Sequence, residues 1–424
     1  MRLALNKKPF IAQSLALSVA ALMMTTTHAA TKEQQELAQL RAEVAELKAL
    51  MQQQQQVQQQ QAVQIQQVKA QPAPVKAESP LSSFKSKSGA DINLYGFVRG
   101  DANYIIEGHD DDFNKVSSSD GKTKDKLRAT AKTTRLGLDF NTNVGGDNKL
   151  GGKVEVDFAG STTDSNGALR IRHAYLTYNN WLFGQTTSNF LSNHAPEMID
   201  FATNVGGGTA ARIPQVRYGF NLAPATKLFI SAEEGDSSGK NIKYSVPNLT
   251  AKLTQGFADG KGSVSARALV ENYKSANDSD TGWGVAAGVN YQVMDPLKLS
   301  ADVSYVDGNS NYLYGSNSAY VVNTSNGKIA QNEAFGVQVG GTYKFNEKLR
   351  STLAYGALFA DDGTDYATLN STANEEVYQA WINFIYSPVK PLDLGVEYIN
   401  GKRDTFAGNS YKDNRVGLMA KYSF

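Results

Sequence analysis

The chain ends with the stretch Arg415-Val416-Gly417-Leu418-Met419-Ala420-Lys421-Tyr422-Ser423-Phe424, which alternates between two kinds of residue. Successive side chains of a β-strand point to opposite faces, so residues two apart share a face. One face then carries the apolar and aromatic residues Val416, Leu418, Ala420, Tyr422 and Phe424. The other face carries Arg415, Gly417, Lys421 and Ser423. The pattern predicts a strand with one apolar face that ends on an aromatic residue.

The same two-residue period continues through most of residues 90–424. In Lys153-Val154-Glu155-Val156-Asp157-Phe158, charged residues alternate with apolar ones. Turn-forming residues divide this region by two alternating kinds of connection. Short connections are predicted at residues 144–148, 179–180, 223–225, 258–262, 294–296, 346–348 and 389–391. Longer polar loops are predicted near residues 106–125, 160–167, 188–214, 235–248, 274–281, 307–332, 360–375 and 401–413.

Seven short and eight long connections join sixteen strands, with both ends of the sheet on the short-turn side. An even strand number with short turns at one end and long loops at the other is typical of bacterial outer-membrane barrels. Residues 90–424 are therefore predicted to form an all-β transmembrane barrel of sixteen antiparallel strands. It would cross the outer membrane of a Gram-negative bacterium many times, with outer-membrane lipid around it. An exported soluble sandwich or propeller is the alternative, and its loops would be short at both ends.

Composition supports this fold class by exclusion. The 424 residues include no cysteine, so no disulfide scaffold is possible. After the first 25 positions there is no unbroken apolar stretch of about 20 residues, as a membrane-spanning helix requires. The mean hydropathy of −0.39 fits a large sheet with one wet face. The net charge of +1 gives no indication of a nucleic-acid partner, and none is expected.

Residues 1–29 are predicted to be a removable signal peptide. Arg2, Lys7 and Lys8 form a basic head, residues 10–24 are mostly apolar, and Thr27-His28-Ala29 offers small residues for cleavage. A single membrane anchor is the alternative, but the apolar stretch is short and is interrupted at residues 13–14.

Residues 31–71 are predicted to form a periplasmic coiled-coil helix, because they contain no Gly or Pro and carry a heptad seam. The seam residues are Leu37, Leu40, Val44, Leu47 and Met51. Such a stripe would be covered by self-association, although the Gln-rich second half could instead be disordered. Residues 72–89, with Pro72, Pro74 and Pro80, are predicted to be an extended linker. The helix could also reach the cell wall.

No catalytic or metal-binding motif is present, so neither an enzyme, a cofactor nor a metal is expected. Only His109, His173 and His194 would remain after signal removal, and His173 is expected to pack beside Tyr175. A hydrolase with a Ser-His pair is kept as an alternative. The run Asp110-Asp111-Asp112 is interpreted as a solvated charged loop, with calcium binding as its alternative.

The basic residues are more informative. Arg99 lies on the first predicted strand, Arg135 on the second, Arg170 and Arg172 on the fourth, and Arg217 on the sixth. An arginine facing lipid at the membrane centre costs about 2–4 kcal/mol, so all five are predicted to face the lumen. One side of the wall would then be positive and would favour anions. Alternatively, these arginines pair with inward Asp101, Asp139, Glu155 and Asp157 in a structural network.

The third long loop carries Glu197-Met198-Ile199-Asp200-Phe201, followed by Gly206-Gly207-Gly208, which we interpret as flexible. Apolar residues in an aqueous loop need cover, which the barrel wall could provide. We expect this loop to fold inward and form a constriction. Glu197 and Asp200 would face the arginines across it, or close hydrogen bonds to the loop backbone.

The terminal aromatic pair Tyr422 and Phe424 resembles the assembly signal of outer-membrane proteins, which implies the barrel-assembly machinery as a partner. The chain as a whole resembles the DcaP-like porins. The resemblance rests on residues 169–175, 183–190 and 196–201, and on Arg212-Ile213-Pro214-Gln215-Val216-Arg217-Tyr218, together with the N-terminal heptads.

This resemblance implies a homotrimeric channel with an N-terminal periplasmic coiled coil and a preference for small organic anions such as dicarboxylates. It assigns the anion-binding wall to Arg99, Arg135, Arg170, Arg172 and Arg217, and the constriction to residues 197–201. Arg212 differs in phase from Arg217, which leaves its exposure to the lumen open. The function expected is passive diffusion of small hydrophilic solutes. A barrel that mainly anchors, with a closed lumen, is the alternative from another class.

Overall fold

The computed structural model describes residues 83–160, 167–208, 211–235, 242–308 and 312–424. The predicted signal peptide and coiled-coil helix lie outside these residues, as does most of the predicted linker. The last part of that linker is not simply extended: Ser83–Lys85 forms a short strand that pairs with residues 91–93. Among the described residues, no helix is long and apolar enough to cross a membrane.

Sixteen antiparallel strands form the described barrel when the two segments of β2 are counted as one strand. Their bounds are β1 Asp91–Gly108, β2 Thr123–Thr130 and Arg135–Asn143, β3 Lys149–Asp157, β4 Arg170–Tyr178, β5 Trp181–Thr187, β6 Arg212–Ala223, β7 Thr226–Glu233, β8 Asn248–Phe257, β9 Gly262–Lys274, β10 Ser279–Met294, β11 Leu297–Asp307, β12 Glu333–Lys344, β13 Leu349–Ala360, β14 Asn374–Val389, β15 Leu392–Thr405 and β16 Ser410–Ser423. A short helix, α1, spans Asp365–Leu369. A separate two-stranded hairpin pairs Tyr320–Val322 with Ile329–Gln331.

The barrel closes because β16 pairs with β1 along residues 97–107. Each other strand pairs with its sequence neighbours. Closure pairs the backbone groups of every strand, which is what a sheet in lipid requires. The predicted sixteen-stranded barrel is therefore confirmed.

All seven predicted short turns lie between strands as expected. Two of the predicted long loops are wrong, because the connections at residues 275–278 and 406–409 contain only four residues each. The polar residues around them belong to strands: β9 continues to Lys274, and β15 continues to Thr405. Polarity there marks strands that continue pairing beyond the apolar belt, and does not mark a loop.

Side chains alternate between an apolar outer face and a polar inner face. On β1, Leu94 and Val98 are exposed outward, whereas Asp101 and Asn103 are buried inside. The stretch Val154 to Asp157 follows the same rule, with Val154 exposed and Glu155 and Asp157 buried. This alternation is what the sequence pattern predicted.

The barrel interior also contains an apolar core, which the sequence did not predict. Three loops supply it: the first loop (L1, residues 109–122), the third loop (L3, residues 188–211) and the sixth loop (L6, residues 308–332). The core consists of Val116 from L1, Phe190, Leu191 and Val205 from L3, Tyr312 and Leu313 from L6, and the inward side chains Leu269, Ala286, Val306, Ala334, Leu358 and Val377 of β9 to β14. Burial of these residues holds the three loops against one side of the wall.

Candidate functional site

The five predicted wall arginines lie on β1, β2, β4 and β6 and reach the barrel interior. Arg99 forms a bidentate contact with Asp101, at 2.6 Å between Nη2 and Oδ1. Its Nη2 also donates to the backbone oxygen of Ile199 in L3, at 2.6 Å. Arg99 therefore fastens L3 to the wall, and its charge is matched by an acid.

Arg135, Arg170 and Arg172 share the carboxylates of Glu155 and Asp157 on β3. Arg172 Nε lies 2.7 Å from Glu155 and its Nη1 lies 2.8 Å from Asp157. Arg170 binds Asp157 at 2.7 Å, and Arg135 Nε approaches Glu155 at 3.4 Å. The predicted network with inward acids therefore exists, and it also includes Lys153 with Asp139 at 3.2 Å.

This network leaves positive charge in excess. Arg217 forms its hydrogen bonds with neutral groups: its Nε donates to Gln215 at 2.9 Å, and its Nη2 to Gln215 and to the Thr187 carbonyl. The four guanidinium groups of Arg135, Arg170, Arg172 and Arg217 thus face three carboxylates, those of Glu155, Asp157 and, near Arg217, Glu233. Arg170 keeps 36% of its side chain exposed, so part of this charge is accessible from the lumen.

A β-bulge concentrates functional groups on β4. The register with β3 shifts so that Glu155 pairs with His173 while Val156 pairs with Ile171. Bulges re-aim side chains, and here Arg172 and His173 both contact the inward carboxylate of Glu155. The His173 ring lies beside that of Tyr175, with centroids 6.4 Å apart, as predicted.

Arg212 begins β6 in the opposite phase to Arg217, as the sequence indicated. Its guanidinium nevertheless lies close enough to Arg170, Arg172 and Asp157 to interact with them electrostatically. A long side chain at a strand end can turn inward regardless of its phase. Arg212 thus extends the arginine wall by one residue.

L3 lies inside the barrel, but its acids do not face the arginine wall. Glu197 forms a bidentate pair with Arg350 of β13, at 2.8 Å. Asp200 is buried, and its carboxylate accepts from the backbone nitrogens of Ala202 at 2.9 Å and Asn114 at 2.7 Å. The expectation that both acids face the arginines is therefore wrong. The hydrogen-bonding alternative describes Asp200.

A buried carboxylate of the wall holds the L3 backbone. Glu397 on β15 accepts from the backbone nitrogens of Ile199 at 2.8 Å and Asp200 at 2.9 Å. Met198 packs against a second apolar group that includes Trp381 and Ile399. Of the five predicted constriction residues, Glu197 and Phe201 keep substantial exposure to solvent. These two are the positions that a passing solute could touch.

The glycines of L3 give close packing and not the expected flexibility. Gly206 has φ +72°, and a Cβ there would lie 2.3 Å from the Ala357 oxygen and 2.4 Å from the Val337 oxygen. On the wall, a Cβ at Gly356 would lie 2.1 Å from the Val205 oxygen. Only glycine allows two backbones to approach so closely. The loop therefore lies directly on β12 and β13.

The sequence did not identify L1 as part of the site, although L1 packs on L3. The rings of Phe113 and Phe201 have centroids 4.6 Å apart. Buried Arg415 on β16 donates to the backbone oxygens of His109 at 2.9 Å and Asp111 at 3.2 Å, which fixes the start of the loop. No local sequence signal links residues so far apart in the chain.

The acidic run of L1 binds side-chain cations. Asp110 pairs with Lys126 at 2.6 Å, and Asp111 with Lys115 at 2.6 Å. Lys126 holds the pKa of Asp110 below its usual range. For Asp111, burial acts to raise the pKa, but Lys115 outweighs it and the pKa is lowered. The described residues contain no acidic or histidine cluster suited to a metal, so the calcium alternative gains no support.

Strand order places the arginine wall and the L3-covered wall on opposite sides. In a closed barrel of sixteen strands, β4 lies opposite β12. The arginines centre on β4, while L3 rests on β12 and β13 and is held by β15. Solutes that enter the lumen would therefore pass between L3 and the arginines of β2, β4 and β6, whereas Arg99 of β1 binds L3 itself.

A Ser-His pair in the described part of the barrel does not resemble a hydrolase site. His194 Nε2 lies 3.0 Å from Ser265 Oγ, and both residues are buried. Within the described part of the chain, His194 Nδ1 has no hydrogen-bond partner, so no carboxylate orients the ring. The nearby Asp302 instead binds Arg267 at 2.6 Å and Ser192 at 2.5 Å.

A closed sixteen-stranded barrel with a charged interior and an infolded third loop defines an outer-membrane channel of the porin type. Residues 23–424 match the model of the DcaP outer membrane protein family, and the chain belongs to that family. It is 73% identical to the outer membrane channel DcaP of Acinetobacter baumannii, whose crystal structure superposes with a TM-score of 0.78 and covers 81% of this chain and 100% of that chain.

More distant structures share the fold alone. An anion-selective porin from Comamonas acidovorans is 12% identical, with a TM-score of 0.54, and the match covers 79% of this chain and 100% of that chain. The trimer form of OmpT from Vibrio cholerae is 14% identical, with a TM-score of 0.53, and the match covers 79% and 99%. No match was found among curated protein sequences.

Proposed function

We propose that this channel lets small hydrophilic solutes diffuse passively and favours organic anions such as dicarboxylates. The observation that carries the proposal is the excess of guanidinium groups over carboxylates on β2 to β6, opposite the wall that L3 covers. Solutes would move down their gradient without a cofactor or energy coupling.

The arginines would bind the carboxylates of a passing solute one after another. A planar guanidinium binds a carboxylate through two parallel hydrogen bonds, which is stronger and more directional than a single contact. Arg170 is the most exposed of the acid-paired arginines, and Arg217 makes its side-chain contacts to neutral groups. Two carboxylates of one solute could therefore be held by neighbouring arginines while Glu155 and Asp157 keep those side chains extended.

The test is ion selectivity in a planar bilayer. The full chain is expected to conduct in steps, with a reversal potential that favours anions. Arg170→Gln with Arg172→Gln should lower the anion-to-cation permeability ratio about threefold or more. It should also weaken the current noise that succinate induces. The apparent Kd of succinate obtained from this noise should be about tenfold higher, because a charge-assisted hydrogen bond contributes about 1.5–3 kcal/mol.

The matched control is Lys402→Gln with Lys412→Gln. These two lysines lie opposite each other on β15 and β16, and they alternate with the inward residues Gly401 and Asp413. The same change in charge on the outer face should leave selectivity unchanged. A lumen that conducts nothing would favour the anchoring barrel, and equal effects of the two double variants would overturn the role of the arginines.

We also propose that the chain forms a homotrimer, with residues 31–71 as a periplasmic coiled coil. The heptad seam supports self-association, and the OmpT relative is described in a trimer form. Deletion of residues 31–70 should reduce the resistance of the oligomer to dissociation, measured by mass in detergent. An unchanged oligomer would show that the barrels alone hold the subunits together.

A further inference from the structure

A second basic site lies above the arginine wall, at the end of the barrel that carries the long loops. Lys126 and Arg128 are two residues apart on the first segment of β2 and share a face, and Lys132 follows in the break between the two segments. Arg128 pairs in register with inward Asn103 of β1. The three cations thus continue the basic face of β2 that ends below at Arg135.

Two carboxylates of L1 occupy this site. Asp112 binds Arg128 through Nε at 3.1 Å and Nη2 at 2.8 Å, and binds Lys132 at 3.2 Å. Asp110 binds Lys126 at 2.6 Å and approaches Arg128 at 3.5 Å. Both nitrogens of Arg128 donate to one oxygen, Oδ1, of Asp112 and Lys132 binds the other, so the two cations together hold one carboxylate.

The rest of L1 is fastened to β16, the strand on the other side of β1 from β2. Arg415 and Asp413 of β16 hold the backbone at His109, Asp111 and Lys115. The loop therefore projects its acids from β16 over β1 to β2, along one edge of the mouth. Arg128 remains one third exposed and Lys126 more so, which leaves the site open to a competing anion.

We propose that Lys126, Arg128 and Lys132 form an outer binding site for organic dianions, which Asp110 and Asp112 occupy as internal carboxylate ligands in the resting channel. An arriving dianion displaces these acids, binds at the mouth and then passes to the arginine wall. The acids limit the rate at which anions enter. This inference rests on the proposed anion preference. It adds that the rate at which anions enter the channel is controlled at the mouth.

The experiment measures current interruptions caused by a dicarboxylate added to the long-loop side of a bilayer. Asp110→Asn with Asp112→Asn keeps the shape of both side chains and removes two negative charges. For a dianion about 10 Å away, Coulomb's law with screening gives about a threefold higher entry frequency in 0.1 M salt and about sevenfold in 0.01 M. Addition to the opposite side should show no such rise.

Asp120→Asn with Asp125→Asn is the matched control. Asp120 pairs with exposed Lys122, and Asp125 contacts the Tyr104 hydroxyl on the outer face, so neither binds the three cations. Asn also tolerates the positive φ of residue 125. If L1 does not fold in the double variant, Asp110→Asn alone should still raise the frequency, because its carboxylate is partly exposed.

Adding Lys126→Gln and Arg128→Gln to the acid-neutral variant should return the entry frequency to the wild-type level. A frequency that does not rise in the first variant, rises equally in the control, or is not reversed by loss of the cations would overturn the outer site. The reversal potential of the wild-type channel separates the two proposals. Anion preference without these effects removes the outer site alone, whereas no anion preference removes both.

Discussion

Replacing Gly206 tests whether L3 is held by direct contact between backbones. Gly206→Ala meets two obstacles: a left-handed φ of +72°, and overlap of the new Cβ with the Ala357 and Val337 oxygens at 2.3 and 2.4 Å. The left-handed conformation costs a non-glycine residue about 1–2 kcal/mol. Overlap with atoms that cannot move costs about 1–3 kcal/mol more.

Gly408→Ala separates these two costs. Gly408 has φ +76°, and a Cβ there has no atom within 4 Å, so only the backbone strain is added. A difference of about 2 kcal/mol between the two variants corresponds to about 30-fold in the equilibrium that releases L3. The released loop would move from β12 and β13 into the passage.

The assay is single-channel conductance combined with proteolysis of the folded protein. Gly206→Ala channels should conduct less and flicker more than Gly408→Ala channels, and L3 should be cleaved faster. If the two variants behave alike in both measurements, the close packing of L3 on the wall does not control the channel, and this reasoning is refuted.

Three other changes give separate checks. Glu197→Gln should raise the anion-to-cation permeability ratio, because it removes the carboxylate that pairs with Arg350. The free energy of unfolding should fall by no more than about 1 kcal/mol, since the pair is partly exposed. An unchanged reversal potential would contradict this prediction. Phe424→Ala should lower the yield of folded barrel in the membrane while the purified barrel keeps its heat resistance, because the backbone bonds with Gly96 at 3.0 and 3.1 Å persist; equal yields would argue against a role in assembly. The difference in selectivity between wild type and Asp110→Asn should stay constant from pH 7 to pH 5. The pKa of Asp110 is lowered from 3.8, so its ion pair contributes above that value and is lost only as the pH falls through the lowered one; a loss near pH 6 would be inconsistent with the pair.

The barrel itself could be predicted from the sequence because its determinants are local. A two-residue period and turn residues each act within one strand or one connection, and the seven short turns follow from them. The same logic failed around Lys274 and Thr405, where polar residues continue a paired strand. Polar residues indicate only that a segment contacts water. A strand that extends beyond the membrane is as exposed to water as a loop, so polarity cannot distinguish the two.

The site could be predicted in part. The period of two placed the five arginines inside, but it could not choose their partners, because Arg350 and Glu197 are 153 residues apart. One missed feature did have a signal. The apolar positions of β4 change from odd at Ile171 to even at Leu176, which marks the bulge at Arg172 and His173. Contacts of L1 and L6 with L3 have no such local mark.

The apolar core shared by L1, L3 and L6 limits how the cell surface of this protein can vary. The longer loops of an outer-membrane barrel lie on the extracellular side, where the sequence can vary without any change in the strands. Tyr312 and Leu313 of L6 pack with Phe190 of L3, so a change selected in one loop is transmitted to the loop beside the passage. Sequence variation at the surface and the shape of the passage therefore depend on the same residues, and a loop variant that changes one can change the other.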